Sequence, residues 1–185
     1  MYKYEKLLPY PLNIKKKDLK MAKALLSQFG GANSELGASL RYFSQKFTMP
    51  DKMGQNLLND IATEEISHLE MIGTMVHMLT KDATIDEIKE ANLDDYYTEH
   101  GISLFPVNAS GVPFTSSYIA STGDVLANLS EDMAAEQKAR ATYESLINLS
   151  TDKSVIEPLL FLRQREIVHF NLFKDLYDHY KKKGF

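Results

Sequence analysis

Two copies of one arrangement of acidic and imidazole side chains, set 101 residues apart, constrain this chain more than any other feature. The first copy is Glu35, Glu65 and His68, and the second is Glu136, Glu166 and His169. In each copy the second glutamate follows the first by 30 residues. Glu65-Ile66-Ser67-His68 and Glu166-Ile167-Val168-His169 both read Glu-x-x-His, and residues three apart share one helix face. Ala38 and Ala139 repeat at the same offset, as do Tyr42 and Tyr143. Each tyrosine stands seven residues after its lone glutamate, close to two helical turns and so nearly on the same face. A glutamate from each of two helices, with Glu-x-x-His from each of two others, is the donor set of carboxylate bundles that hold two metal ions. The pattern therefore calls for four helices converging on one point.

Four segments carry the apolar period that such helices need. Leu19, Ala22, Leu25, Leu26 and Phe29, then Leu36, Leu40 and Phe43, recur at three- and four-residue spacing and predict a first helix over about 18–47. Gly30-Gly31 inside it costs about 1 kcal/mol per glycine relative to alanine, which implies a local break or a close backbone approach just before Glu35. Pro50 and Asp51 mark a stop and a new cap, and a second helix is expected over about 52–79. Thr84-x-x-Glu87 is a capping box opening a short helix near 85–91. The third helix is expected over about 124–149, and the fourth over about 157–181, with Pro158 in its first turn. From 93 to 122 the period fails, with Gly101, Pro106, Gly111 and Pro113 breaking it. A structureless stretch that long is the natural crossover between two helical hairpins. The expectation is one all-α domain over 1–185, a ferritin-like four-helix bundle with a single long crossover between helices two and three.

Composition narrows the chemistry. The chain has no cysteine, so disulfides, thiolate metal sites and cysteine nucleophiles are excluded, and any metal must be held by carboxylate and imidazole. A formal net charge of −4 argues against a nucleic-acid partner, and the clusters Lys15–Lys17 and Lys181–Lys183 are too short to reverse that. No apolar run approaches the roughly 18 residues a membrane span requires. MYKYEKLLPYPL has charges within its apolar stretch and no small-residue cleavage site, so synthesis in the cytoplasm without a signal peptide is expected. Ile66, Leu69, Ile72, Ile167, Val168 and Phe170 surround the two motifs and aim their charges into a core. An unpaired buried charge costs several kcal/mol, and a cation relieves it. Four carboxylates come close to neutralising two divalent ions, and both manganese and iron accept these oxygen and nitrogen donors. His77, His100 and His179 lack carboxylates at ligand spacing and read as surface or packing residues. Glu64 and Glu70 read either as solvated or as partners of the ligands. Tyr42 and Tyr143 read either as core aromatics or as hydrogen-bond partners of the site.

The stretches GGANSELGASLRYF, DIATEEISHLEMIGTM, NASGVPFT, EDMAAEQKARATYESLI and FLRQREIVHF resemble the manganese catalases. YEKLLPYPL and LTKDATIDEIKEANLDDYY are similar to the short, CotJC-type spore-coat branch of that family, so the resemblance covers nearly the whole chain. It implies two manganese ions per subunit, held by Glu35, Glu65, His68, Glu136 and His169, with Glu65 between the ions. It implies that Glu166 lies near the metals without binding them and moves protons, and that Tyr42 stands beside Glu35. The implied reaction is disproportionation of hydrogen peroxide to water and dioxygen. The implied assembly is a homo-oligomer, a hexamer in full-length enzymes, located in the spore coat with other coat proteins as partners. Some members carry an arginine just before the third-helix glutamate; Ala135 stands there in this chain, so the gating or charge role of that arginine is absent. Full-length enzymes also clasp neighbouring subunits with a C-terminal extension, whereas this sequence stops at Phe185. Two alternatives remain open. One is a di-iron oxidase, peroxidase or iron-storage module with Glu166 as a sixth ligand. The other is a mainly structural coat protein stabilised by its metal site.

Two segments bear on assembly. The crossover carries Tyr96, Tyr97, Leu104, Phe105, Val112, Phe114 and Tyr118 without helical period. The N-terminal arm carries Tyr2, Tyr4, Leu7, Leu8 and Tyr10 around two prolines. Either both segments wrap the bundle and cap its ends, or they pack against neighbouring subunits and close the route to the metals.

Overall fold

A computed structural model describes residues 7–101 and 103–185, and in it each long helix starts from a side-chain cap. The helices are α1 (Leu19–Gly30), α2 (Glu35–Gln45), α3 (Lys52–Thr80), α4 (Ile85–Glu90), α5 (Asp94–His100), α6 (Val125–Leu149) and α7 (Lys153–Lys183). Asp18, Ser34, Asp51, Asp124 and Asp152 accept from the backbone N–H of Met21, Gly37, Gly54, Ala127 and Ser154, respectively. Each such bond satisfies a donor that the helix start would leave free, which contributes about 1 kcal/mol. Thr84 and Glu87 form the expected capping box at the start of α4.

α1 and α2 together form the first arm of the bundle and pack along α3, while α6 packs along α7. The Asp18 N–H donates to the Leu79 carbonyl, so α1 begins where α3 ends. The Tyr180 hydroxyl donates to Asp51 at 2.7 Å, which places the end of α7 at the start of α3. Neighbouring helices therefore run antiparallel, and one long connection links the two hairpins, which is the ferritin-like arrangement. Among the described residues the only β pairing is a bridge between Val107 and Pro113.

Three expectations need correction. The first helix is two helices, because α1 ends at Gly30 and α2 restarts from the Ser34 cap. The reason is a close approach: a Cβ on Gly30 would lie 2.3 Å from the backbone carbon of Pro106, so the crossover runs directly against this glycine. The fourth helix begins at Lys153, not near Glu157, because Asp152 caps it, and Pro158 is its sixth residue. The crossover is not wholly irregular. Asp94 and Asp95 favour the positive start of α5, and Gly101, at φ 60°, ends it after seven residues.

Leu8, Tyr10 and Leu12 pack against the core, while Leu7 is exposed. Tyr2 and Tyr4 lie outside the described residues. In the crossover Val107 is buried, whereas Leu104, Phe105 and Val112 are exposed.

Two apolar layers fill the bundle. One holds Leu25, Met71, Met75, Leu146, Leu159 and Leu162, and the other holds Leu58, Ile61, Leu129, Phe173 and Leu176. On α3 the second layer ends at Ala62 and the first resumes at Met71. On α7 the first ends at Leu162 and the second starts at Phe173. The Glu-x-x-His motifs occupy both gaps. The functional residues thus form one polar layer between two apolar ones.

Candidate metal centre

Glu35, Glu65, His68, Glu136, Glu166 and His169 are each at most 1% exposed. Their ligand-type atoms fall into two groups within 4.8 Å: Glu35, Glu65, His68 and Glu166, and Glu65, Glu136, Glu166 and His169. Glu65 and Glu166 belong to both groups. The Nδ1 atom of His68 lies 2.8 Å from one oxygen of Glu65 and 3.6 Å from Glu35. The Nδ1 atom of His169 lies 2.8 Å from the other oxygen of Glu65 and 3.8 Å from Glu136. The two imidazoles face each other with centroids 5.8 Å apart.

Several inward-facing atoms have no hydrogen-bond partner: Oε2 of Glu35, Oε1 of Glu65, Oε2 of Glu136, Oε1 of Glu166 and Nδ1 of His169. Glu65 Oε1 and His169 Nδ1 both lack a partner although they are only 2.8 Å apart. The contact is close but the N–H direction is wrong, so these atoms converge on a point more than on each other. Buried polar atoms are otherwise nearly always paired. Orphaned lone pairs on hard oxygen and imidazole nitrogen fit divalent manganese or iron.

The electrostatics carry the same message. Burial pushes the Glu35 and Glu166 carboxyls well above the usual range, and the neighbouring carboxylates add to it. Glu136 is raised to about 7 by burial and Glu65, against opposition from His169 and Tyr42. Burial alone would raise Glu65 and lower the histidines, but their mutual attraction wins. Glu65 falls well below the usual range. His169 rises to about 10 and His68 also rises well above its usual value. Protons on the imidazoles balance the carboxylates here, and cations can replace them.

Two tyrosines hold the lone glutamates, but not as expected. Tyr42, expected beside Glu35, donates to Glu136 instead, and Tyr143 donates to Glu35. Glu64, left open between two roles, is a partner of the site: its oxygens lie 3.4 Å from His68 Nε2 and 3.1 Å from His169 Nε2. Arg165, missed in the sequence, donates to both of those oxygens at 2.6 and 3.2 Å. A signal existed, since Glu64 and Arg165 occupy the same position in the two repeats with opposite charges. A second buried polar cluster was also missed. Asp132 on α6 is buried beside Arg41 and Gln45 of α2, and neither Asp132 oxygen has a hydrogen bond of good geometry. His100 is elsewhere, stacked on Phe105 at 4.1 Å.

The family model for manganese containing catalase matches residues 1–183. The chain is 51% identical over 183 residues to Protein CotJC of Bacillus subtilis (strain 168), covering 99% of this chain and 96% of that protein. It is 34% identical over 186 residues to a probable manganese catalase of Clostridium acetobutylicum, covering 100% of this chain and 83% of that protein. Among solved structures, KatB, a manganese catalase from Anabaena, superposes with a TM-score of 0.89 at 37% identity, over 98% of this chain and 82% of KatB. No helix among the described residues is long and apolar enough to cross a membrane. With the model spanning nearly its full length and relatives this similar, the chain belongs to the manganese catalase family.

Proposed function

We propose that this chain disproportionates hydrogen peroxide to water and dioxygen at a dinuclear manganese centre, with Glu35, Glu65, His68, Glu136 and His169 as the metal ligands. Two manganese ions held by these residues would supply the two-electron redox change by which one peroxide is reduced and another oxidised. The observation that carries the reading is Glu65, whose two oxygens face the two histidine Nδ1 atoms, each at 2.8 Å. One carboxylate therefore reaches both ion positions. Glu35 and His68 complete one side, and Glu136 and His169 the other.

Glu166 handles protons in this account. In the metal-free chain, burial together with Glu35, Glu65 and Glu136 pushes its carboxyl well above the usual range, which marks it as the proton-carrying group of the cluster. Reducing one peroxide to two waters consumes two protons and oxidising the other to dioxygen releases two, and Glu166 relays these protons between the two half-reactions. Tyr42 and Tyr143 fix the orientation of Glu136 and Glu35, so the ligands do not swing between turnovers. The dry layers above and below exclude bulk water and strengthen every charge interaction between them.

The similarity to CotJC supports a place in the spore coat, as a homo-oligomer that meets its neighbours through exposed Leu104, Phe105 and Val112. Glu166 belongs to both donor groups, and that favours one second reading: a di-iron centre with Glu166 as a sixth ligand.

An oxygen electrode tests the proposal. Protein reconstituted with manganese should evolve dioxygen from hydrogen peroxide, and His68→Ala should abolish it. Manganese-bound protein that evolves none contradicts the catalase assignment. Peroxide consumption with iron alone selects the di-iron reading.

A further inference from the structure

Glu64 lies beside the centre but belongs to neither donor group. It directly precedes Glu65 in the sequence, and its side chain is 31% exposed. Its two oxygens divide between the two imidazoles, one within 3.4 Å of His68 Nε2 and the other within 3.1 Å of His169 Nε2. Both distances are within reach of a hydrogen bond, and neither Nε2 has another partner among the described residues. Arg165, on α7, takes the same two oxygens from the opposite side in a fork. The repeat exchanges Tyr42–Glu136 with Tyr143–Glu35, whereas it maps Glu64–Arg165 onto itself. This pair therefore sits where the two halves of the bundle meet.

We infer that Glu64, held in plane by Arg165, is a single positioning residue for both histidines and thereby couples the two ion positions. The inference rests on the metal-centre reading above. An imidazole presents a lone pair on one nitrogen only when the other carries its proton. A carboxylate at Nε2 keeps the proton there and turns Nδ1 inward, toward Glu65, and it makes Nδ1 a better donor. Usually each ligand histidine has its own outer partner. Here one carboxylate serves two, so its orientation is common to both sites. A guanidinium fork fixes that orientation in a way that a single ammonium cannot. As a surface ion pair the contact adds little to folding stability. Its effect should therefore appear in metal binding and not in unfolding.

The test uses full-length protein, stripped of metal and titrated with manganese against a competing chelator. Ions per chain are counted, and spin coupling of the manganese pair is followed by paramagnetic resonance. The variants are Arg165→Met, Glu64→Gln and the conservative Arg165→Lys. Arg163→Met is the control, since Arg163 lies on α7 like Arg165 but pairs with Glu144 on α6 and does not touch the site. Wild type and control should take up two ions alike, as a coupled pair. Arg165→Met and Glu64→Gln should bind both ions roughly 10- to 100-fold more weakly. Arg165→Lys should recover part of the loss, with helix content unchanged throughout. If Arg165→Met and Glu64→Gln bind both ions as wild type does, the inference is overturned while the metal centre stands. Weakening of one ion alone overturns the shared role. A wild-type chain that binds no manganese overturns the centre itself, and the inference with it.

Discussion

The Tyr42 hydroxyl donates to Glu136, a carboxylate from the other half of the bundle. Tyr143 returns the contact by donating to Glu35. Each lone glutamate is thus held by the hairpin it does not belong to, which ties α2 to α6 through the site. Removing one hydroxyl leaves a buried carboxylate oxygen without its donor, at a cost of about 1–3 kcal/mol. Tyr42→Phe and Tyr143→Phe should each lower stability by that amount in urea unfolding of metal-free protein, with helix content retained. Variants as stable as wild type would show that these contacts contribute nothing.

Glu166→Gln separates a proton carrier from a ligand. The amide cannot cycle a proton, so peroxide turnover should fall by about 100-fold or more while two ions per chain remain bound. Elemental analysis and an oxygen electrode read the two quantities separately. Loss of metal as complete as in His169→Ala would make Glu166 a ligand.

Metal uptake should release protons. His169 is held at about 10 and His68 is also raised, so both imidazoles are protonated in metal-free protein at neutral pH. A histidine must be neutral to bind a metal, so each binding event displaces a proton. More than two protons per chain should appear at pH 7 on loading, because the raised carboxyls of Glu35 and Glu136 must ionise as well, and the release is seen as a buffer-dependent heat in calorimetry. Apparent affinity should rise with pH, by roughly tenfold per proton per unit while both rings stay protonated. Affinity independent of pH between 6 and 8 would contradict this.

Asp132 lies buried on α6 one turn before Glu136, and burial raises its carboxyl well above the usual range, with Gln45 and Arg41 opposing. The sign follows from the raised value. As pH climbs past about 4 the unfolded chain loses this proton first, so folding stability falls until the buried group also ionises. Asp132→Asn removes the effect. The variant should gain stability relative to wild type as pH rises from 4 to 7, measured by thermal unfolding of metal-free protein. A gap that narrows over that range would contradict the assignment.

How much of this was legible depends on what reports locally. The four long helices were readable because an apolar residue every third or fourth position is a local signal, and the six site residues because the repeat marks them. The pairing of Tyr42 was not. Seven residues is about 10 Å along a helix axis, too far for a tyrosine hydroxyl to return to Glu35, but a partner helix brings Glu136 within reach. α5 has only seven residues, too few for a period to show. The start of α7 does not show in the sequence as Pro158, which sits inside the helix, but as the Asp152 cap on Ser154 six residues earlier. Glu64 and Arg165 are opposite charges at one repeat position, and only the antiparallel meeting of α3 and α7 makes them a pair.

The central claim is that Glu65 spans two manganese ions, and anomalous diffraction at the manganese edge tests it most directly. Crystals of the reconstituted protein should show two peaks per chain, each beside one Glu65 oxygen and one histidine Nδ1, with Glu166 bound to neither. A single peak, or two peaks with Glu65 bound to only one of them, would contradict the account.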